Sequence, residues 1–417
     1  MSRFSPAPPS FSGLTPAAQR SLGVLFLSGL LFWASLTTFL PTLPLYLDSI
    51  GATPQQVGIV SGGFAVGLLI FRSWLGYVAD RKRKPVLLLG LASVALAPLG
   101  YGLTQSLPLL FGVRMFHGLS VAAFTTGYLT LVTDLAPLAV RGEVIGYMTL
   151  VNPVGMALGP ALGGWMQASF GYGPLFLTAA LLGGVGWLSG SFVQEPENPG
   201  LGVAGSPEAE GDRRFWQLLR LPAIYIPAVA LLLQGVAFGA FSIFLPLFMA
   251  QTQIPLNPGL VFAASAMGSF TIRVITGKAS DRWGRGLFIT LSLGVYGLGV
   301  GTLAWAQVPW QVLLAGALEG SGFGMLVATL TALMADRSRP QERARSLNFC
   351  FIGLDLGIAI AGPILGGCIG LWGYPATFAL AATLPFVGLL LFITRGNGGL
   401  GDSLRFGLGI GVDRYRQ

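Results

Sequence analysis

His117, the one histidine in the 417-residue chain, stands three residues after Arg114, so the two side chains share one face of a helix. Two carboxylates, Glu319 and Asp355, lie as His117 does inside long apolar stretches, each about ten residues or ~15 Å from an end. Such groups can load and release protons: a low dielectric disfavours the charged carboxylate, a nearby guanidinium favours it, and a small rearrangement tips the balance. His117, Glu319 and Asp355 are therefore expected to form one proton-carrying group at mid-depth, biased by Arg114. The alternative is that the two acids are neutral or paired to Arg114 or Arg273 for packing alone. Other chemistry is poorly supplied. One histidine and two cysteines, Cys350 and Cys368, offer no metal-ligand spacing, and five helical turns hold the thiols too far apart for a disulfide. Both read as buried thiols. A GxxxxGK[ST] loop for a nucleotide is missing, and His117 has no nucleophile in sequence reach. Neither a metal, a cofactor nor enzymatic activity is expected.

The elements that must position these groups follow from composition. The chain is 53% hydrophobic and 10% charged, where soluble proteins carry about 25% charge. That excludes a soluble enzyme, a disordered chain and a disulfide scaffold, and it is enough apolar residues for about eleven or twelve membrane helices. Apolar runs fall at 22–47, 56–79, 85–105, 108–133, 143–168 and 174–194, then at 222–250, 258–280, 286–306, 309–335, 346–370 and 375–394. Lipid gives the backbone no hydrogen-bond partner, so each run is read as a helix, which makes an all-α membrane protein of twelve spans. Of the 24 Lys and Arg, twenty-one fall in the terminal segments and alternate loops on one side, three (Arg72, Arg114, Arg273) fall within spans, and the opposite loops hold none. The positive-inside rule then puts both termini in the cytoplasm, and the localisation expected is a bacterial inner membrane. It also accounts for the net charge of +8 without nucleic acid as a partner. The first apolar run is too long for a signal peptide and lacks its cleavage site.

The domain reading is a cytoplasmic tail 1–21, a six-helix domain 22–194, a polar cytoplasmic linker 195–221, a second six-helix domain 222–395, and a loose Gly-rich cytoplasmic tail 396–417. The halves repeat. RxxxGxxxDR at 72–81 recurs at 273–282, GPxLGG at 159–164 recurs at 362–367, and Asp134/Asp336, Arg141/Arg343 and Gly171-Tyr172/Gly373-Tyr374 recur at an offset of 202. A parallel duplication of a six-helix unit is an arrangement of transporters that move two halves about a midplane site.

With these motifs the sequence resembles the major facilitator superfamily, over nearly the whole chain. Gly76, Asp80 and Arg81, followed by basic residues to Lys84, look like the family's GxxxDRxGRK loop, with Arg83 where glycine is usual. Gly277, Asp281, Arg282, Gly284 and Arg285 make the full GxxxDRxGR in the second half. The resemblance implies a cytoplasmic gate, Asp80 and Asp281 facing helix N-termini or arginines of the other half. Gly155, Gly159, Pro160, Gly163 and Gly164 match the GxxxGPxxGG of the antiporter branches, which otherwise reads as a close-packing motif. Arg114 to Gly118 is similar to the RxxxG of the family's fourth helix. Arg72 and Arg273 are expected to anchor the cavity wall rather than touch substrate. Trp33, Asn152, Gln234 and Asn348 are candidates for the substrate cavity, since amides and indoles at depth need partners. Phe64, Phe124, Phe262, Trp187 and Trp305 are expected in the core or against lipid. The implied function is a monomeric secondary transporter that exchanges protons for a small hydrophobic or amphipathic molecule; a proton symporter or facilitator for a sugar or organic acid is the alternative.

Overall fold

The computed structural model describes residues 14–79, 83–137, 140–195, 220–339 and 342–416. Asp80, Arg81 and nearly all of the expected linker, 196–219, lie outside them. Fourteen helices are described: α1 Pro16–Thr37, α2 Phe39–Ser49, α3 Pro54–Ala79, α4 Arg83–Leu103, α5 Leu107–Leu135, α6 Arg141–Met148, α7 Val151–Phe170, α8 Tyr172–Ser191, α9 Pro222–Thr252, α10 Pro258–Trp283, α11 Arg285–Thr302, α12 Pro309–Arg337, α13 Arg343–Arg395 and α14 Leu400–Gly407. Among the described residues ten stretches are long and apolar enough to cross a membrane. One of them, in α13, turns back at Gly373, and α11 adds an 18-residue apolar helix, so the described residues pass back and forth twelve times.

Proline and glycine set the breaks. Several helices begin on proline, where the missing N–H costs nothing. Pro41 and Pro153 deny Thr37 and Thr149 their fourth-residue donors, and α1 gives way to α2, and α6 to α7, at those points. Gly171 and Gly373, which correspond in the repeat, both turn the chain with φ of +83° and +77°, angles that suit glycine because it has no Cβ. Gly284 does the same at +93° between α10 and α11.

One end of the bundle carries the turns near residues 51, 105, 171, 254, 305 and 373; the other carries Pro16, Arg337 and Arg395. At the first, the loop end, a single apolar cluster takes Phe39, Leu43, Tyr46 and Val57 from the first half and Phe241, Phe244, Phe248 and Val261 from the second. Toward the other, terminus end the apolar interior divides. Leu25, Leu87, Leu91 and Leu131 pack within the first half, and Leu231, Leu293, Leu330 and Phe392 within the second. The halves are therefore joined at the loop end and separately cored at the terminus end. Phe124 and Phe262 are core residues, and Trp187 in α8 and Trp305 in the turn after α11 are exposed.

Two expectations need correction. Cys350 is buried but Cys368 is only half-buried; both are free. Residues 396–416 are not a loose tail. Asn397 donates to the carbonyl of Val412 and accepts from the backbone of Arg414, and Phe406 of α14 packs on Phe392. Beneath this strap lies Arg337, its side chain 0% exposed, donating to Asp413 Oδ2 at 2.8 Å and to the Gly396 carbonyl at 2.9 Å, between the rings of Phe406 and Tyr415. Glycine content misleads here because the order comes from one arginine and its acceptors. Removing one member of a buried ion pair costs about 3–5 kcal/mol, more than replacing both by apolar groups. Asp413→Ala is therefore expected to lower the thermal midpoint of the detergent-solubilised protein by several degrees, and Asp413→Ala combined with Arg337→Met by less. Equal losses would show that Arg337 needs no counter-ion.

Candidate functional site

The close seams between the halves are built from small residues, which let backbones meet. α3 runs against α13 so closely that a Cβ on Gly58 would enter the backbone of Gly362, and the reverse; Gly62 faces Ala359, and Gly366 faces Pro54 and Gln55. Across the pseudo-symmetric seam, Gly259 of α10 abuts Pro160 of α7 in the same manner, and Gly164 abuts Asn257, whose side chain caps α10 by accepting from the Gly259 N–H at 2.8 Å. The rest of the GxxxGPxxGG run faces its own half. Gly155 abuts Trp33 and Ala34, Gly159 abuts Thr37 and Ala34, and Gly163 abuts Thr38, while Thr37 Oγ1 donates to the Gly155 carbonyl at 3.0 Å. The motif is thus a packing surface on both sides of α7.

The titratable residues are not gathered into one group. His117 is fully buried in the first half among Phe39, Phe64 and Tyr101. Tyr101 Oη lies 3.0 Å and Arg114 Nη1 3.4 Å from His117 Nδ1. Both approach the Nδ1 side of the ring, and Nε2 has no hydrogen-bond partner. The Arg114 guanidinium also stands 4.6 Å over the Phe64 ring. In the second half Glu319, 1% exposed, accepts from Ser265 Oγ at 2.5 Å, and Ser265 corresponds in the repeat to Phe64. Asp355, 6% exposed, is held by neither Arg114 nor Arg273. Its Oδ2 meets Arg72 Nη1 at 2.9 Å, an ion pair from α13 of one half to α3 of the other.

Of the gate residues, Asp281 is exposed and pairs with Arg285 four residues on, within its own helix pair; Arg285 also donates to Asp336 Oδ2 at 3.2 Å. Asp134, the repeat partner of Asp336, is instead paired with Arg83 at 2.8 Å. The residue that replaces the expected glycine in the first loop therefore takes the place of the missing arginine one position on, where Lys84 stands. The recurrence of Asp134 and Asp336 at an offset of 202 marked these acids, but not their partners. Gly76, Gly277, Gly284 and Arg282 sit at the ends of α3 and α10, the exposed Arg282 in α10's last turn. Of the cavity candidates, Trp33 and Asn152 are half-buried, Asn348 is exposed, and Gln234 is wholly enclosed with neither amide atom hydrogen-bonded.

Comparison with known proteins fits this architecture. Residues 25–308 and 228–399 match the profile of the Major Facilitator Superfamily. The multidrug resistance protein MdtG of Salmonella typhi, and that of Salmonella paratyphi C (strain RKS4594), are each 25% identical over 388 residues, covering 90% of this chain and 93% of the relative. Among solved structures, the nucleoside transporter NupG is similar with a TM-score of 0.74 at 14% identity, covering 91% of this chain and 99% of its own. A bacterial homolog of the human lysosomal transporter Spinster, in an inward-facing and unoccupied conformation, is similar with a TM-score of 0.69 at 15% identity, covering 95% and 97%. These likenesses extend over both six-pass halves, and the chain belongs to the major facilitator superfamily.

Proposed function

We propose that this multi-pass membrane transporter exports a small amphipathic molecule in exchange for protons. The halves 22–194 and 222–395 are the moving units, with 195–221 as their linker. The observation that carries the reading is the Arg72–Asp355 pair: a nearly buried carboxylate of one half has its charge balanced only by an arginine of the other. A proton on Asp355 and the ion pair exclude each other, so proton occupancy is tied to how the halves stand. Glu319 and His117, enclosed in separate halves, are further proton sites in this reading, with Arg114 beside His117 Nδ1 biasing it. The efflux direction is supported by the multidrug relatives at 25% identity. Asp281, together with Asp80, stabilises the alternate state, in which the terminus end closes.

Transport in proteoliposomes against an imposed pH gradient, run over a compound panel, tests the proposal. Counterflow of protons and a panel compound is the expected result. Co-directional movement would instead establish a symporter, and movement indifferent to pH a facilitator. The twenty-one basic residues support a terminus end that faces the cytoplasm. In sealed cells a cysteine at Arg405 should resist an impermeant thiol reagent and one at Ser106 should react; the opposite pattern would invert the topology.

A further inference from the structure

α3 and α10 are equivalent in the repeat, and each carries an arginine fourteen residues after a glycine that touches the opposite half. Gly58 abuts Gly362, and Gly259 abuts Pro160. Fourteen residues along a helix return to within about 40° of the starting direction, roughly 21 Å further on. Arg72 and Arg273 therefore hold equivalent positions, each within about 40° of the helix face that meets the opposite half, at a level where the shared apolar cluster has divided into two. For Arg72 the direction is realised in its pair with Asp355. Arg273 has no such answer. The repeat puts Pro153 where Asp355 would be, and α7 contains no Asp or Glu at all. Among the described residues no carboxylate lies within ion-pair distance of Arg273, and its enclosed Nε has no hydrogen-bond partner.

The asymmetry carries a charge argument. The Asp355 charge is met by Arg72, and Glu319 is turned to Ser265 inside its own half. Arg114 is engaged within the first half, over Phe64 and beside His117. Among the described residues Arg273 is thus an uncompensated cation, within about 40° of the α10 face that meets the other half. Ionisable groups at membrane depth are costly unless they face a cavity or a partner, and a guanidinium's planar fork matches an oxyanion bidentately.

We infer that Arg273 is an anion contact of the transport cleft, and that the molecule carried is an amphipathic organic anion whose carboxylate, sulfonate or phosphonate binds Arg273 opposite Thr149 and Pro153. This names the substrate class of the transporter proposed above and rests on that reading, but not on the direction of transport or on proton coupling.

Two measurements on the intact purified chain test it. In the first, thermal midpoints are followed with naphthalene-2-carboxylate, -sulfonate and -phosphonate, and with the cationic naphthyl-trimethylammonium. At least one anion should stabilise the wild type and the cation should not. Arg273→Gln should weaken that binding tenfold or more, while Arg273→Lys keeps part of it. The second needs no ligand. With Cys350 and Cys368 replaced by alanine, Thr149→Cys is reacted with anionic sulfonatoethyl and cationic trimethylammonioethyl methanethiosulfonate. Removing one positive charge near the thiol acts oppositely on the two reagents, so Arg273→Gln should lower the anionic-to-cationic rate ratio several-fold. An unchanged ratio, anions that bind Arg273→Gln as tightly as wild type, or a wild type that responds to none of the three anions would each overturn the assignment. Loss of pH-driven exchange with both Arg273 results intact would instead overturn proton antiport and leave the anion contact standing.

Discussion

Asp355→Asn should abolish accumulation driven by a pH gradient while downhill exchange continues. Asp355 is nearly enclosed and its counter-ion, Arg72, belongs to the other half. Asparagine imitates the protonated state permanently, so a variant carrying it can still alternate but has nothing left to exchange. Breaking a buried pair costs about 3–5 kcal/mol. The Arg72 side chain is 30% exposed, so water recovers part of this, and a net shift of about 1–2 kcal/mol, roughly 5- to 30-fold in the balance of states, is the reasonable expectation. The double variant Arg72→Gln with Asp355→Asn should regain stability without regaining coupling, because no unpaired guanidinium is left behind. Proteoliposome accumulation and substrate-for-substrate exchange, measured side by side, separate the two effects. A wild-type gradient-driven rate in Asp355→Asn would place coupling elsewhere, with Glu319→Gln the next variant to measure.

A second large effect is expected from Gly362→Val. In the present state the backbones of Gly58 and Gly362 touch, and even one added carbon has nowhere to go. Overpacking of this kind costs about 1–3 kcal/mol, and here only the state closed at the loop end bears the cost. Turnover should fall more than about tenfold. Val57→Cys, buried in the shared cluster, should become reactive toward an impermeant maleimide in the Gly362→Val background alone. The protein should still fold, since the separate cores of the two halves are untouched. Gly370→Val in the same pass is the control, because a Cβ there meets nothing within 4 Å. A Val57→Cys that stays unreactive in both backgrounds would mean that the seam tolerates the side chain by shifting.

Counting along the chain located depth well and direction poorly. The apolar runs place each helix to within a few residues, and the repeat at about 202 pairs Gly171 with Gly373 and Asp134 with Asp336, which the fold bears out in matching backbone angles and matching ion pairs. Depth alone, however, made His117, Glu319 and Asp355 look like neighbours. They face different ways, because one residue's step turns the helix 100° while changing depth by only ~1.5 Å. Asp355 found Arg72 for that reason, and His117 found Tyr101, an uncharged partner that no charge pattern would pick out. Long-range packing set the rest. Nothing local in Arg337 announces that residues 396–416 will cover it, and nothing in the GxxxGPxxGG run says which of its glycines meet the other half.

Heat capacity follows from where the apolar clusters lie. At the loop end Phe39, Leu43, Phe244 and Phe248 belong to one cluster shared by both halves, while the terminus end has two smaller ones. Opening the loop end would hydrate apolar surface, and each Å² so exposed adds about 0.45 cal/mol/K. Unless the terminus end dries an equal area as it closes, the two states differ in heat capacity, and their ratio bends with temperature instead of following a straight van't Hoff line. Apolar burial weakens on cooling, so cold should favour the form open at the loop end. The resting conformation of the transporter would then be a function of growth temperature.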